Sequence, residues 1–193
     1  MRTFIVYSKD AHTSPIIKDL KACGRIDILL HSIISSLFAS NTFRQDVQLH
    51  LILMGPPKSP KHIIIEYHKD NTISKKDLKK LIEMCLRRCK QGKTVQVHNG
   101  VFVDDKDIKT IIEEMQSLNK NIFFLNESGK HIKDTKDKEL ENGVFVLGDH
   151  EGFDTKTKKF LKKNIERLSL GPKTYFTSQA ITIINYELDN KGF

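Results

Sequence analysis

Gly143-Val144-Phe145-Val146-Leu147-Gly148-Asp149-His150-Glu151-Gly152 is the stretch that decides how this chain is read. Val144 to Leu147 form a short apolar run, the kind that fits a strand covered on both faces. The run ends between Gly148 and Gly152, two residues that let a backbone take positive φ and approach another molecule closely. A carboxylate, an imidazole and a second carboxylate stand between them. In open α/β folds ligands bind outside the carboxyl ends of strands, so the layout predicts a buried strand opening onto a pocket. An ordinary strand-to-helix loop with a polar tip is the competing reading.

Working outward, Phe4-Ile5-Val6-Tyr7 reads as an opening strand, Val47 to Met54 as a second and Ile63 to Tyr67 as a third. Ile26, Leu29, Leu30, Ile33, Ile34 and Leu37 recur at helical spacing, which predicts a helix from Gly24 to about Asn41. A second helix runs from a Ser74 cap to about Gln91, with Leu78, Leu81, Ile82, Cys85, Leu86 and Cys89 inward. Val95 to Val103 reads as one or two short strands. Asp104-Asp105 introduces a helix carrying Ile108, Ile111, Ile112, Met115 and Leu118 inward. Ile122 to Leu125 is a strand followed by a turn at Glu127-Ser128-Gly129-Lys130, and Asp134 to Asn142 an exposed charged loop. Asp154 or Thr155 caps the next helix, with Phe160, Leu161, Ile165 and Leu168 facing inward. Lys156, Lys158, Lys159, Lys162, Lys163 and Arg167 form its basic side. The last helix starts near Thr177 or Ser178. Alternating strands and helices with no repeat or linker give a single α/β domain, residues 1–193, with a mostly parallel sheet.

The chain carries a formal charge of +8, a balance that favours polyanionic partners because phosphate binding releases condensed counterions. A well-solvated lysine-rich surface is the plainer alternative. No run of eighteen apolar residues occurs, so no membrane helix is expected. Met1 to Tyr7 reads as a strand rather than a signal peptide. Cys23, Cys85 and Cys89 cannot form a disulfide framework, which fits a reducing, cytoplasmic setting. Cys85 and Cys89 lack two further ligands at zinc-like spacing, so no metal is expected. They read as core thiols.

Further segments carry a family likeness. Leu168-Ser169-Leu170-Gly171-Pro172 leads into Tyr175 to Asp189, and with Asn121 to Leu125 the C-terminal half holds three strand ends followed by glycine-bearing or polar turns. Near the front, Cys23-Gly24-Arg25-Ile26-Asp27-Ile28-Leu29 and Phe43-Arg44-Gln45-Asp46-Val47 each place an aspartate two residues after an arginine. In these motifs the chain resembles the TrmY-type tRNA pseudouridine N1-methyltransferases, members of the SPOUT class of knotted methyltransferases. The resemblance spans most of the chain and is weakest in the middle.

That resemblance implies a SPOUT-like fold with a C-terminal trefoil knot and a homodimer. It implies S-adenosylmethionine as methyl donor, bound in a bent form by three C-terminal loops. Leu125, Gly148 and the run Ser169, Leu170, Gly171, Pro172, Lys173 and Thr174 should contact the donor, and Ala180 should supply a small apolar wall. Two departures stand out: Ala180 replaces an expected cysteine and Gln179 a histidine. Gly171 also occupies a position where serine is common. The implied substrate is tRNA, methylated at N1 of pseudouridine in the T-arm, conventional position 54. N1 carries a proton that a carboxylate can accept, and Asp46 and Asp27 are the candidate bases. Arg25 and Arg44 are candidates to hold the flipped nucleotide, and His150 to position it. Local ion pairs at element ends are the alternative for the two arginine–aspartate motifs. Methylation of another RNA pseudouridine, such as a ribosomal one, and a non-catalytic RNA-binding protein of the same fold are the competing functions.

Overall fold

The computed structural model describes residues 1–70 and 73–193. β1 (Arg2–Ser8) lies mid-sheet with all of its residues buried, because both of its faces are covered. Along the chain follow α1 (Ile26–Leu37), β2 (Phe38–Ala39), β3 (Thr42–Phe43), β4 (Val47–Leu53) and β5 (Lys61–Glu66). Then come α2 (Leu78–Arg88), β6 (Val95–His98), β7 (Val101–Asp104), α3 (Ile108–Ser117) and β8 (Ile122–His131). The C-terminal part consists of α4 (Asp137–Leu140), β9 (Val144–Gly148), α5 (Thr155–Asn164), β10 (Glu166–Ser169) and α6 (Thr177–Asp189).

The main sheet has the order β10-β8-β9-β1-β4-β5-β7-β6, and β2 and β3 form a separate short hairpin. β10, β8, β9, β1 and β4 run parallel. β5, β7 and β6 continue the sheet antiparallel. The sheet is therefore mixed: the half bearing the glycine turns is parallel, while the short β4–β5 and β6–β7 connections can only return the chain antiparallel. Strand alternation splits the core. Phe4, Val6, Leu49, Leu51, Phe145 and Leu147 pack with apolar residues of α1, α2 and α6. Ile5, Tyr7, Ile52, Val144, Val146 and Phe124 pack with those of α3 and α5. Val144 to Leu147, read as a doubly covered strand, are indeed buried.

Four local readings are corrected. β8 does not stop at Leu125; it pairs with β10 at Phe124, swings outward, and resumes pairing at Lys130. Gly129 permits this return, since a Cβ there would lie 2.6 Å from the backbone of Arg167 and Leu168. The supposed exposed loop after Asp134 contains α4, whose Leu140 is fully buried. α5 ends at Asn164, and Arg167 and Leu168 belong to β10 instead. The sequence from Ile165 to Ser169 cannot signal this, because a strand at a sheet edge only four residues long leaves little periodicity to read. α3 begins at Ile108 with Asp107, not Asp104-Asp105, as its cap.

Asp104 has another task. On the outer face of the antiparallel half, His50 Nδ1 lies 2.8 Å from His62 Nε2, and His62 Nδ1 lies 2.9 Å from Asp104 Oδ1. His50 Nε2 meets Gln48 Oε1 at 2.9 Å, and the Gln48 amide donates to Glu66 Oε2 at 2.6 Å. Both histidines and Asp104 are buried. Asp104 also accepts from Thr94 Oγ1 and the Lys106 backbone N–H.

Candidate cofactor pocket and active site

A cavity of about 310 Å³ opens at the carboxyl ends of β9 and β10 beside the middle of β8, at the low end of the range typical for small-molecule sites. The outward swing of β8 brings Leu125, Asn126 and Glu127 into one wall. Leu147, Gly148 and the turn through Phe153 form the floor, and Leu170 to Tyr175 the opposite wall. α6 closes the back with Thr177 and Ala180. Thr177 Oγ1 donates to the Gly148 carbonyl at 2.8 Å, which ties the start of α6 to the end of β9. The Thr174 hydroxyl donates to the Glu127 carboxylate, joining two walls.

Gly148 is required by the chain itself. A Cβ there would lie 2.6 Å from Gly152 Cα, because the turn folds back on itself between Asp149 and Gly152. Positive φ belongs only to Gly152, at +74°, so the expectation that both glycines adopt it is corrected. Asp149 is held in that turn: Ser8 Oγ donates to its Oδ2 at 2.7 Å and the Glu151 N–H to its Oδ1 at 3.0 Å. Glu151 pairs with Lys9 at 2.7 Å, which holds its carboxyl below the ordinary range. Asp154 caps α5 through the N–H groups of Lys156 and Thr157 and accepts from Tyr7 Oη at 2.6 Å. Burial opposes its ionisation, yet these donors and the Thr157 hydroxyl win and hold it at about 2. Tyr7 is pushed well up by burial and by the same carboxylate.

Of the residues expected around the donor, Leu125, Gly148, Leu170, Gly171, Lys173, Thr174 and Ala180 line the cavity. Ser169 and Pro172 do not line it. Ser169 instead holds the loop, its Oγ accepting from the Gly171 N–H at 3.1 Å. Glu127, Asp149, Glu151, Phe153, Lys158, Tyr175 and Thr177 line it as well. Sequence reasoning left these without a donor-site role, and the bulge of β8 that delivers Glu127 has no local signature.

The remaining candidates lie outside the cavity. Arg25, in left-handed conformation at the start of α1, grips Asp27 through Nε and Nη2 at 3.0 and 2.9 Å. That hydrogen bond holds the Asp27 carboxyl below its ordinary range despite burial. The pair belongs to the pocket's edge of the sheet, because Gly24 packs on Asp10 and Lys9 reaches Glu151. His150 is partly exposed beside Asp149, 3.8 Å from its carboxylate. Asp46 precedes β4, at the opposite, amino edge of the parallel strands. It pairs with Arg2 at 2.7 Å rather than with Arg44, whose guanidinium is bidentate to Asp189 at 2.9 and 2.6 Å. A seven-residue strand separates Asp46 from the pocket edge, roughly 20 Å at strand rise. Within one chain the structure therefore brings Arg25 and Asp27 toward the pocket's end of the sheet and leaves Arg44 and Asp46 at the other.

The lining suits S-adenosylmethionine. Leu125, Leu147, Leu168, Leu170 and Ala180 offer apolar surface, the loop backbone offers fixed donors and acceptors, and Glu127, Asp149 and Glu151 offer negative charge to a ligand with a sulfonium and an ammonium. Among the described residues no His, Cys, Asp and Glu cluster is arranged to hold a metal ion.

Fold and site together define an α/β protein with a ligand-sized cavity at one edge of its parallel strands. The Nep1 protein of Archaeoglobus fulgidus, solved with bound S-adenosylhomocysteine, has a similar fold, with a TM-score of 0.61 at 15% identity over 86% of this chain and 71% of that one. The family model described as "Putative SAM-dependent RNA methyltransferase" matches residues 1–193, and the chain belongs to that family. Among similar full-length relatives are proteins of Thermococcus gammatolerans (34% identical, 98% of each chain) and Methanococcoides burtonii (31%, 98% of this chain and 96% of the relative). A Pyrococcus abyssi protein is 32% identical over 100% of this chain and 99% of its own. Each of the three is named tRNA (pseudouridine(54)-N(1))-methyltransferase.

Proposed function

We propose that this protein transfers a methyl group from S-adenosylmethionine to N1 of pseudouridine 54 in tRNA, the activity named for its full-length relatives. The observation that carries the reading is the cavity beside β8, β9 and β10, lined by both apolar and acidic side chains, in a chain matched by the family along its whole length. The donor supplies an electrophilic methyl on a positively charged sulfur. Leu125, Leu170 and Ala180 bind its apolar parts and exclude water, and the backbone of Leu170 to Thr174 orients its polar edges. Glu127, Asp149 and Glu151 set a negative field at the cavity that favours a cation in the ground state.

A homodimer completes this reading. Phe176, Gln179, Ile183 and Tyr186 follow one another along α6 at three- and four-residue spacing, and Phe176 and Tyr186 are largely exposed; such a stripe fits a two-fold contact. The same proposal includes a trefoil knot around the loops of the pocket and a cytoplasmic location. N1 must lose its proton to a carboxylate. Asp27 with Arg25 is the pair available within one chain, while Asp46 and Arg44 can serve only a neighbouring copy's pocket. His150 positions the nucleotide from the rim.

Co-expression separates the cases. Asp46→Asn removes the carboxylate, and Ala180→Leu fills the pocket of the other copy. If Asp46 acts across the dimer, a mixed population regains about a quarter of wild-type turnover, since half the dimers carry one intact site. No recovery, or full activity of the Asp46→Asn homodimer on T-arm RNA, refutes the role of Asp46. Absence of methyl transfer by the wild-type protein to pseudouridine-containing T-arm RNA refutes the function itself.

A further inference from the structure

We propose that the outer face of α5 is the track on which the RNA backbone lies; this rests on the function proposed above and assigns the surface that receives its polyanionic substrate. α5 carries Lys156, Lys158, Lys159, Lys162 and Lys163, all exposed. Among the described residues none of the five forms an ion pair, and α5 contains no acidic residue. Several lysines on other elements are paired, Lys9 with Glu151, Lys106 with Glu114, Lys109 with Glu113 and Lys191 with Asp137, and what sets α5 apart is five uncompensated lysines on one ten-residue helix. Asp154, the carboxylate at the start of α5, is committed to the helix cap and to Tyr7.

Lys158 and Lys162, and Lys159 and Lys163, are four residues apart, so each pair repels across one turn and weakens the helix. Lys162 and Lys163 in the last turn suit the helix dipole, but the repulsion along the row remains, and a row of phosphates relieves it. Position supplies the second argument. Lys158 lines the cofactor cavity, and Lys173 lines it from the opposite wall. From Lys158 the ridge descends along the helix about 1.5 Å per residue to Asn164, where Gln116 Nε2 of α3 ties the helix end down by donating to the Asn164 carbonyl at 3.1 Å. A strand of RNA with its target base at the cavity mouth therefore meets unneutralised cations continuously on one side.

The test compares Lys159→Gln/Lys162→Gln/Lys163→Gln, all outside the cavity, with a charge-matched control, Lys76→Gln/Lys90→Gln/Lys93→Gln. T-arm RNA binding is measured without donor as a function of salt. The expected result for the α5 variant is a dissociation constant raised roughly tenfold or more and a log–log salt slope reduced by about 2 to 3. KM for RNA rises, kcat at saturating RNA and S-adenosylmethionine binding stay at wild-type values, and the control is unaffected. A wild-type slope in the α5 variant overturns the proposal, as does an equal loss in the control, which makes net charge the cause. Donor-free binding keeps the two readings apart: RNA binding without methyl transfer sinks the function, while the slope alone judges the ridge.

Discussion

Replacing Asp104 by alanine is expected to be among the most damaging single changes far from the pocket, and the protons of the buried chain explain why. Gln48 must present Oε1 to His50, because its amide nitrogen donates to Glu66. Three contacts then run from Gln48 Oε1 through the two rings to Asp104, each needing one proton. Two neutral imidazoles supply two protons, and two imidazolium rings supply four. One proton beyond the two of neutral rings, held within the His50–His62–Asp104 chain, satisfies every contact. Removing the carboxylate strands the His62 ring nitrogen, the Thr94 hydroxyl and the Lys106 N–H where Asp104 is only 2% exposed. Breaking a buried pair in this way costs about 3–5 kcal/mol. Urea unfolding at neutral pH measures it as a fall in midpoint with little change in slope. Asp104→Asn keeps the shape and should cost less, while the histidine pair gives up its extra proton. A loss below about 1 kcal/mol for Asp104→Ala, the scale of a surface pair, would refute the proton assignment.

The same cluster sets an acid limit. Burial, and then the charge of His62, keep His50 well below its ordinary value, so below about pH 6.5 the unfolded chain takes up a proton that the folded one refuses. Stability should fall there by up to about 1.4 kcal/mol per pH unit, and His50→Gln should flatten that limb of a pH–stability curve measured by denaturant unfolding; an unchanged limb contradicts the reading. In the pocket, Gly148→Ala sets a methyl 2.6 Å from Gly152 Cα. Overpacking of this kind costs about 1–3 kcal/mol, a melting temperature lower by roughly 2–12 °C in a chain of this size. Calorimetry should find S-adenosylmethionine binding lost with it, and retained binding would separate the turn from the cavity.

Much of the parallel half was legible because its signals are local. Val144 to Leu147 are apolar without alternation since both faces are covered, and α1 and α2 announce themselves by a repeating buried stripe. Asp154 was readable as a cap and accepts from the start of α5, while Ser74 accepts from the Lys76 N–H in a short 3-10 turn that precedes α2. Ala180 lines the cavity. Gln179, the departure from the expected histidine, has an ordinary local duty: its Oε1 accepts from the Phe176 N–H at the start of α6.

Other features depend on chain segments far apart in sequence, and no pattern of periodicity carries them. β10 exists because Glu166 to Ser169 find β8 beside them, and Glu127 enters the cavity because that pairing skips a stretch of β8. Arg2 had no role of its own in the sequence, yet burial makes it the joint of Asp46, Asp189 and Asn185. The two arginine–aspartate motifs, alike in sequence, part company in space: Arg25 keeps its own aspartate, while Arg44 and Asp46 take partners from opposite ends of the chain. Sequence alone determined most of the strands and helices, because hydrophobic alternation and caps act over a few residues, but not α4, β10 or the second half of β8. Tertiary structure decided which carboxylates share an edge of the sheet with the cofactor cavity, because strand order and direction are fixed only when the whole sheet assembles.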